Sequence, residues 1–163
     1  MSDSNKNEGE IRQYLGFSLN GQRYGLPIGS VKEISTVAEV TTVPRVPKFV
    51  LGVMNLRGKI IPVIDLRVRF EVEVTPFTRD TCIVIVEGIQ GEVGLVVDKV
   101  EEVLNFVETQ VKAPPAMGSE AFMKYVNGIA RFNDELVMLV DVQHVMSFQE
   151  FQDVLSPTPE EAA

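Results

Sequence analysis

One cysteine, one histidine and no tryptophan occur in the 163 residues. Cys82 has no partner for an internal disulfide, which fits a reducing compartment. One His and one Cys are too few for a zinc site, so no metal or cofactor is expected. Positive charge is also scarce: 15 Lys and Arg against 23 Asp and Glu leave a formal net charge of −8. Without a basic cluster to displace phosphate counterions, nucleic acid and anionic membrane surfaces are poor partners. A long apolar run is missing too. The stretch 49–66 is interrupted by Asn55, Arg57, Gly58 and Lys59, so no direct membrane insertion is expected. The opening MSDSNKNEGE has no signal-peptide core. No G-x-S-x-G elbow, Walker loop or nucleophile–base set appears. These absences predict a soluble, cytoplasmic protein that is not an enzyme.

What the chain does have is Val and Ile: 45% of residues are hydrophobic and only 7% aromatic, a balance that leans toward β-structure. Short strands are predicted at Tyr14–Leu19, Arg23–Ile28, Val50–Met54, Lys59–Asp65, Thr81–Glu87, Glu92–Val97, Val103–Val107, Val126–Phe132 and Leu136–Asp141. Asn20-Gly21 is a hairpin signal because both residues tolerate positive φ. Thr41–Val46 reads as extended, an edge strand or a connection. Pro62 cannot donate to a ladder, so its strand is expected to lie at an edge, start late or bulge. Ala113–Glu120 reads as a loop, and apolar spacing predicts a helix over 143–155. Residues 1–12 and 156–163 are polar and expected to be disordered, leaving one domain at 13–155.

Two blocks of sequence recur. Tyr24–Ile34 matches Val93–Val103 at an offset of 69, and Phe49–Leu66 matches Tyr125–Val142 at an offset of 76. Gly52 aligns with Gly128 and Asp65 with Asp141, the acids reading as strand-end turn residues. The four residues Asn55-Leu56-Arg57-Gly58 stand opposite Arg131-Phe132-Asn133-Asp134, which keep the turn character and change the chemistry. The duplication changes over near 74–80. With about five strands per half and no long helix between strands, it predicts two small β-barrels or sandwiches packed together. On the residues alone, Asn-Leu-Arg-Gly is a turn carrying a solvated arginine.

The series Tyr24-Gly25-Leu26-Pro27-Ile28 through Val31-Lys32-Glu33-Ile34, then Gly52-Val53-Met54-Asn55-Leu56-Arg57-Gly58-Lys59-Ile60-Ile61-Pro62-Val63-Ile64-Asp65-Leu66, then Val93-Gly94-Leu95-Val96-Val97-Asp98, strongly resembles the CheW family. Members are adaptors that couple bacterial chemoreceptors to the histidine kinase CheA. The resemblance covers residues 11–155. It implies a mainly β fold of two SH3-like five-stranded barrels around a shared hydrophobic core, with a short C-terminal helix. It further implies a lone adaptor whose partners are the regulatory domain of CheA and the cytoplasmic tip of a methyl-accepting chemotaxis protein, recruited to membrane-associated receptor arrays. The implied partner-binding residues are Val31, Glu33, Asn55, Leu56 and Arg57, with Gly52 and Gly58 shaping the backbone there. The competing expectation is a small-molecule-binding regulatory protein with a pocket between its barrels.

Overall fold

The two-residue turn signals place the first strands. Asn20 and Gly21 adopt φ of 50° and 80°, the doubly positive geometry whose twist suits a tight hairpin, and join β1 (Ile11–Leu19) to β2 (Gln22–Pro27). The computed structural model describes residues 10–88, 90–116 and 120–155. It continues with β3 (Val31–Ser35), β4 (Val50–Leu56), β5 (Lys59–Asp65), β6 (Cys82–Gly88), β7 (Gly91–Val97), β8 (Lys99–Val107), β9 (Val126–Phe132) and β10 (Glu135–Val140). Three short helices follow strands or precede them: α1 (Leu66–Arg69), α2 (Glu120–Tyr125) and α3 (Phe148–Leu155).

The strands form two sheets of five, ordered β8-β1-β2-β10-β9 and β3-β6-β7-β5-β4. Moving each strand of the second sheet on by five places in the chain reproduces the first. The match extends to register, for the parallel pair β2–β10 sets Gly25 against Leu139 while β5–β7 sets Gly94 against Val63. Each sheet therefore takes a hairpin from one repeat and three strands from the other. The chain crosses between sheets at the 3-10 turn Ile28–Ser30 and at Asp98, whereas 74–80 lies between β5 and β6 of one sheet. The sequence repeat and the sheets thus have different boundaries. Hairpins supply antiparallel neighbours, but a parallel pair needs a crossover, which the exchange between repeats provides.

Both faces of the inner strands β6 and β7 are buried, which accounts for continuous runs such as Ile83-Val84-Ile85-Val86. Ile83 and Ile85 join Met54, Ile61, Val63 and Val96 in a core private to the second sheet. Val84 and Val86 point the other way, into a core shared with Leu15, Phe17, Tyr24 and Leu26 of the first sheet. Tyr14, Leu104, Phe106, Ala130, Val137 and Leu139 fill the private core of the first sheet. Two five-stranded sheets, each with an inner core and a common one between them, fit SH3-like subdomains around a hydrophobic centre.

Several local expectations shift. β3 replaces what the sequence left unassigned, and only Thr41 of the 41–46 segment pairs, in a bridge to Val53. β1 reaches back to Ile11, inside the segment expected to be disordered, because β8 extends far enough for Val107 and Phe106 to pair with Ile11 and Arg12. Residues 1–9 and 156–163 lie outside the described residues. Pro62 sits in a central strand. Its neighbour Val53 turns its N–H and C=O to Thr41, and the ladder to β7 begins at Val63, so no donor is required of it. The last helix starts at Phe148 rather than 143. Asp141 Oδ1 accepts from the Gln143 amide and holds a turn there, while Ser147 and Glu150 form a reciprocal cap that begins α3. Residue 120, expected to end a loop, opens α2.

Candidate functional site

β3 and β4 are the two end strands of the second sheet, and a charged contact closes the distance between those ends. Glu33 projects from β3, half-buried, and its Oε2 accepts from Arg57 Nη2 at 2.6 Å. Arg57 belongs to the turn between β4 and β5, with its side chain 71% exposed. The hydrogen bond and the charge of Glu33 together raise the guanidinium above its ordinary value. The guanidinium therefore stays charged throughout the physiological range, although an ion pair this open to water contributes little to folding.

The turn is tight. Arg57 has φ of 52° and Gly58 of 86°, and Asn55 Oδ1 accepts from the Gly58 amide at 2.7 Å. Asn55 thus shapes the turn, Gly58 supplies its left-handed residue, and Leu56 is half-buried against the private core of the sheet. Val31 packs from β3 toward the shared core. Gly52 lies further along β4, where a Cβ would come within 2.1 Å of the Thr41 carbonyl, so close approach of the backbone dictates glycine there. Of the seven predicted residues, Glu33 and Arg57 meet directly. The others hold the two elements that carry them.

Two neighbouring ion pairs were not anticipated. Lys59 Nζ meets Glu92 at 3.2 Å and Lys32 Nζ meets Glu87 at 3.0 Å. With Glu33–Arg57 they make three matched pairs along one end of the sheet. Ile34 and Ile60, next to or near these charges in the chain, are exposed. The sequence did carry a signal for the Lys59–Glu92 pair. Position 92 aligns with Arg23 and position 59 with Glu135, and Arg23 Nε meets Glu135 at 3.3 Å, the same pairing with its charges exchanged.

The chemistry on offer is charge pairing beside apolar rims. No group of three or more His, Cys, Asp or Glu placed to hold a metal occurs among the described residues. Cys82 is half-buried and desolvation pushes its thiol up, away from reactivity. A hollow of about 370 Å³ between the 43–50 segment and α3 is lined by Val43, Val46, Phe49 and Val154. Its acids are already engaged, Glu150 by Arg69 and Asp153 by Gln149. No helix among the described residues is long and apolar enough to cross a membrane.

Comparison with known proteins brings in a family. The CheW-like domain matches residues 13–150. Over 139 residues the chain is 33% identical to the chemotaxis protein CheW of Klebsiella aerogenes, spanning 85% of this chain and 84% of that one. It is 30% identical to protein PilI of Pseudomonas aeruginosa, across 86% of this chain and 78% of that one. The crystal structure of the scaffolding protein TtCheW from Thermoanaerobacter tengcongensis superposes with a TM-score of 0.78 at 35% identity, over 83% of this chain and 92% of the other.

Proposed function

The chain belongs to the CheW family, a chemotaxis coupling adaptor by that membership, and we propose that it bridges the cytoplasmic tip of a chemoreceptor and the regulatory domain of CheA. The supporting observation is the Glu33–Arg57 pair, which ties β3 to an exposed turn. Val31 and Leu56 anchor the two elements from below, and Asn55 and Gly58 fix the turn that presents the arginine. Such a surface suits an amphipathic helix, its apolar anchors on the rim and its polar groups over the arginine. No bond-making role is assigned to any residue, and the protein acts in the cytoplasm at membrane-associated receptor arrays.

Titration of the purified chain against a receptor cytoplasmic fragment and against the CheA regulatory domain tests the proposal. Saturable binding of both at low salt is expected, with loss of the receptor arm alone on Arg57→Ala. Failure to bind either partner overturns it. A screen for thermal stabilisation addresses the small-molecule alternative, which the family comparisons do not favour, since a specific ligand raises the unfolding midpoint by mass action.

A further inference from the structure

A buried arginine joins the two sheets. Arg67, in α1, is 1% exposed. Its Nε and Nη2 donate to the two oxygens of Asp65, each at 3.0 Å, and its Nη1 to the Thr75 carbonyl at 2.7 Å and to Asp98 Oδ1 at 3.2 Å. Phe77 lies over the guanidinium with its ring centre 5.2 Å away. Asp98 is where the chain leaves β7 and enters the other sheet. Its second oxygen accepts from the Asn20 amide at 2.7 Å, and its own amide donates to the Ser18 carbonyl at 3.2 Å. One carboxylate is therefore shared between a cation fixed to the second sheet and the β1–β2 turn of the first.

The repeat shows that this device is one-sided. The position matching Asp98 is Gly29, and that matching Arg67 is Gln143, neither of them charged, so the equivalent ion pair cannot form at the second inter-sheet crossing. Hydrophobic packing in the shared core is non-directional and tolerates small rotations. The Asp98 carboxylate does not, because it is held at once by the Arg67 Nη1 of one sheet and the Asn20 amide of the other, and a rotation stretches one of these directional, charge-assisted bonds. We propose that Arg67 and Asp98 form a latch that sets the angle between the two sheets. The consequence for signalling rests on the adaptor reading, since a bridge transmits geometry only if its two halves hold a fixed relation. The latch itself needs no partner, and its test uses none.

Spin labels at Ile60→Cys and Leu136→Cys, exposed positions that match across the repeat, report the distance between the sheets in a Cys82→Ala background. One narrow distance distribution is expected with the latch intact. Asp98→Asn, which keeps the shape and removes the charge, is expected to broaden the distribution and displace its centre by several ångströms while circular dichroism stays constant. If Asp98→Asn does not unfold cooperatively, Arg67→Lys serves in its place, because one ammonium cannot reach Asp65, Asp98 and the Thr75 carbonyl together. An unchanged distribution in a folded latch variant overturns the inference. Unchanged partner affinity with an altered distance leaves the latch standing and removes only its signalling consequence.

Discussion

The hairpins β4–β5 and β9–β10 have matching strand partners and the same turn geometry, but their tips differ. The tip of β9–β10 is Asn133-Asp134, with φ of 50° and 66°, residue types that tolerate this region through local hydrogen bonding. The tip of β4–β5 puts Arg57 at the first of these positions, where a long side chain gains nothing from the backbone. Behind the tips the flanking pair is kept with its charges exchanged, Glu135 with Arg23 and Lys59 with Glu92. The acid common to the two end strands then finds a different cation. Glu102 joins Glu101 and Glu135 around Arg23, a strand residue stacked over Phe132, whereas Glu33 takes the arginine of the turn. Duplication has preserved geometry on both sides and set an exposed cation at the left-handed position of one tip only. Backbone economy does not explain that choice, which the receptor-facing role proposed above would explain.

The largest expected effect separates Gly52 from Gly128, which the repeat equates. A Cβ at Gly52 would stand 2.1 Å from a backbone carbonyl, but one at Gly128 would stand 3.2 Å from a Val111 methyl that can yield. Gly52→Ala is expected to lose about 2–4 kcal/mol and Gly128→Ala about 1 kcal/mol or less, read from denaturant midpoints. Equal losses would mean that the bridge strand at Thr41 gives way as easily as a side chain.

Next comes binding. Arg57→Ala is expected to melt near the parent protein and to weaken receptor-fragment affinity about thirtyfold, the usual cost of truncating an interface arginine. Asn133→Ala is the matched control and should leave that affinity unchanged. Equal receptor affinities for the parent and Arg57→Ala would return the β4–β5 tip to a plain turn. Exchanging the tips sharpens the same comparison. Arg57→Asn relieves a left-handed arginine and Asn133→Arg creates one, so the melting temperature is expected to rise by about 2–4 °C in the first and fall by a similar amount in the second. Shifts of the same sign would show that φ at these positions is not what distinguishes the tips.

The repeat, the hairpins and the Glu33–Arg57 neighbourhood were legible because each leaves a local mark: alternating apolar residues, a turn dipeptide, a family motif. The exchange of strands between sheets left none. Pairing β2 with β10 depends on which buried faces meet, and the inner halves of both strands, Tyr24-Gly25-Leu26 and Val137-Met138-Leu139-Val140, are buried on both. β3 escaped notice because Val31-Lys32-Glu33-Ile34-Ser35 shows polar and apolar residues without clean alternation; Glu33 turns inward to serve Arg57 and Ile34 turns outward. Arg67 was equally silent. A buried arginine reads like any surface one until Asp65, Asp98 and Thr75 converge on it.

The smallest expected effect concerns how the two repeats end. The first closes with α1, whose Arg67 is enclosed; the second closes with α3, which the other arginine of α1 holds where Arg69 Nη2 meets Glu150 Oε1 at 2.7 Å. Partial burial by itself would push the Glu150 carboxyl up, but hydrogen bonds from the Ser147 backbone and from Arg69 outweigh it and hold the group below its usual range. A depressed carboxyl contributes stability above its unfolded pKa of about 4.3, and that contribution fades as pH falls through the lower folded value. Glu150→Gln is therefore expected to cost about 1 kcal/mol at neutral pH, because solvent reaching the partly exposed acid screens its pairing with the nearly buried Arg69. Its denaturant midpoint should converge with that of the parent as the solution is acidified below the ordinary carboxylate range. A difference that persists undiminished at low pH would show that α3 is held by its apolar contacts, Phe151 and Val154 against the shared core, and that the two repeat ends differ in packing rather than in charge.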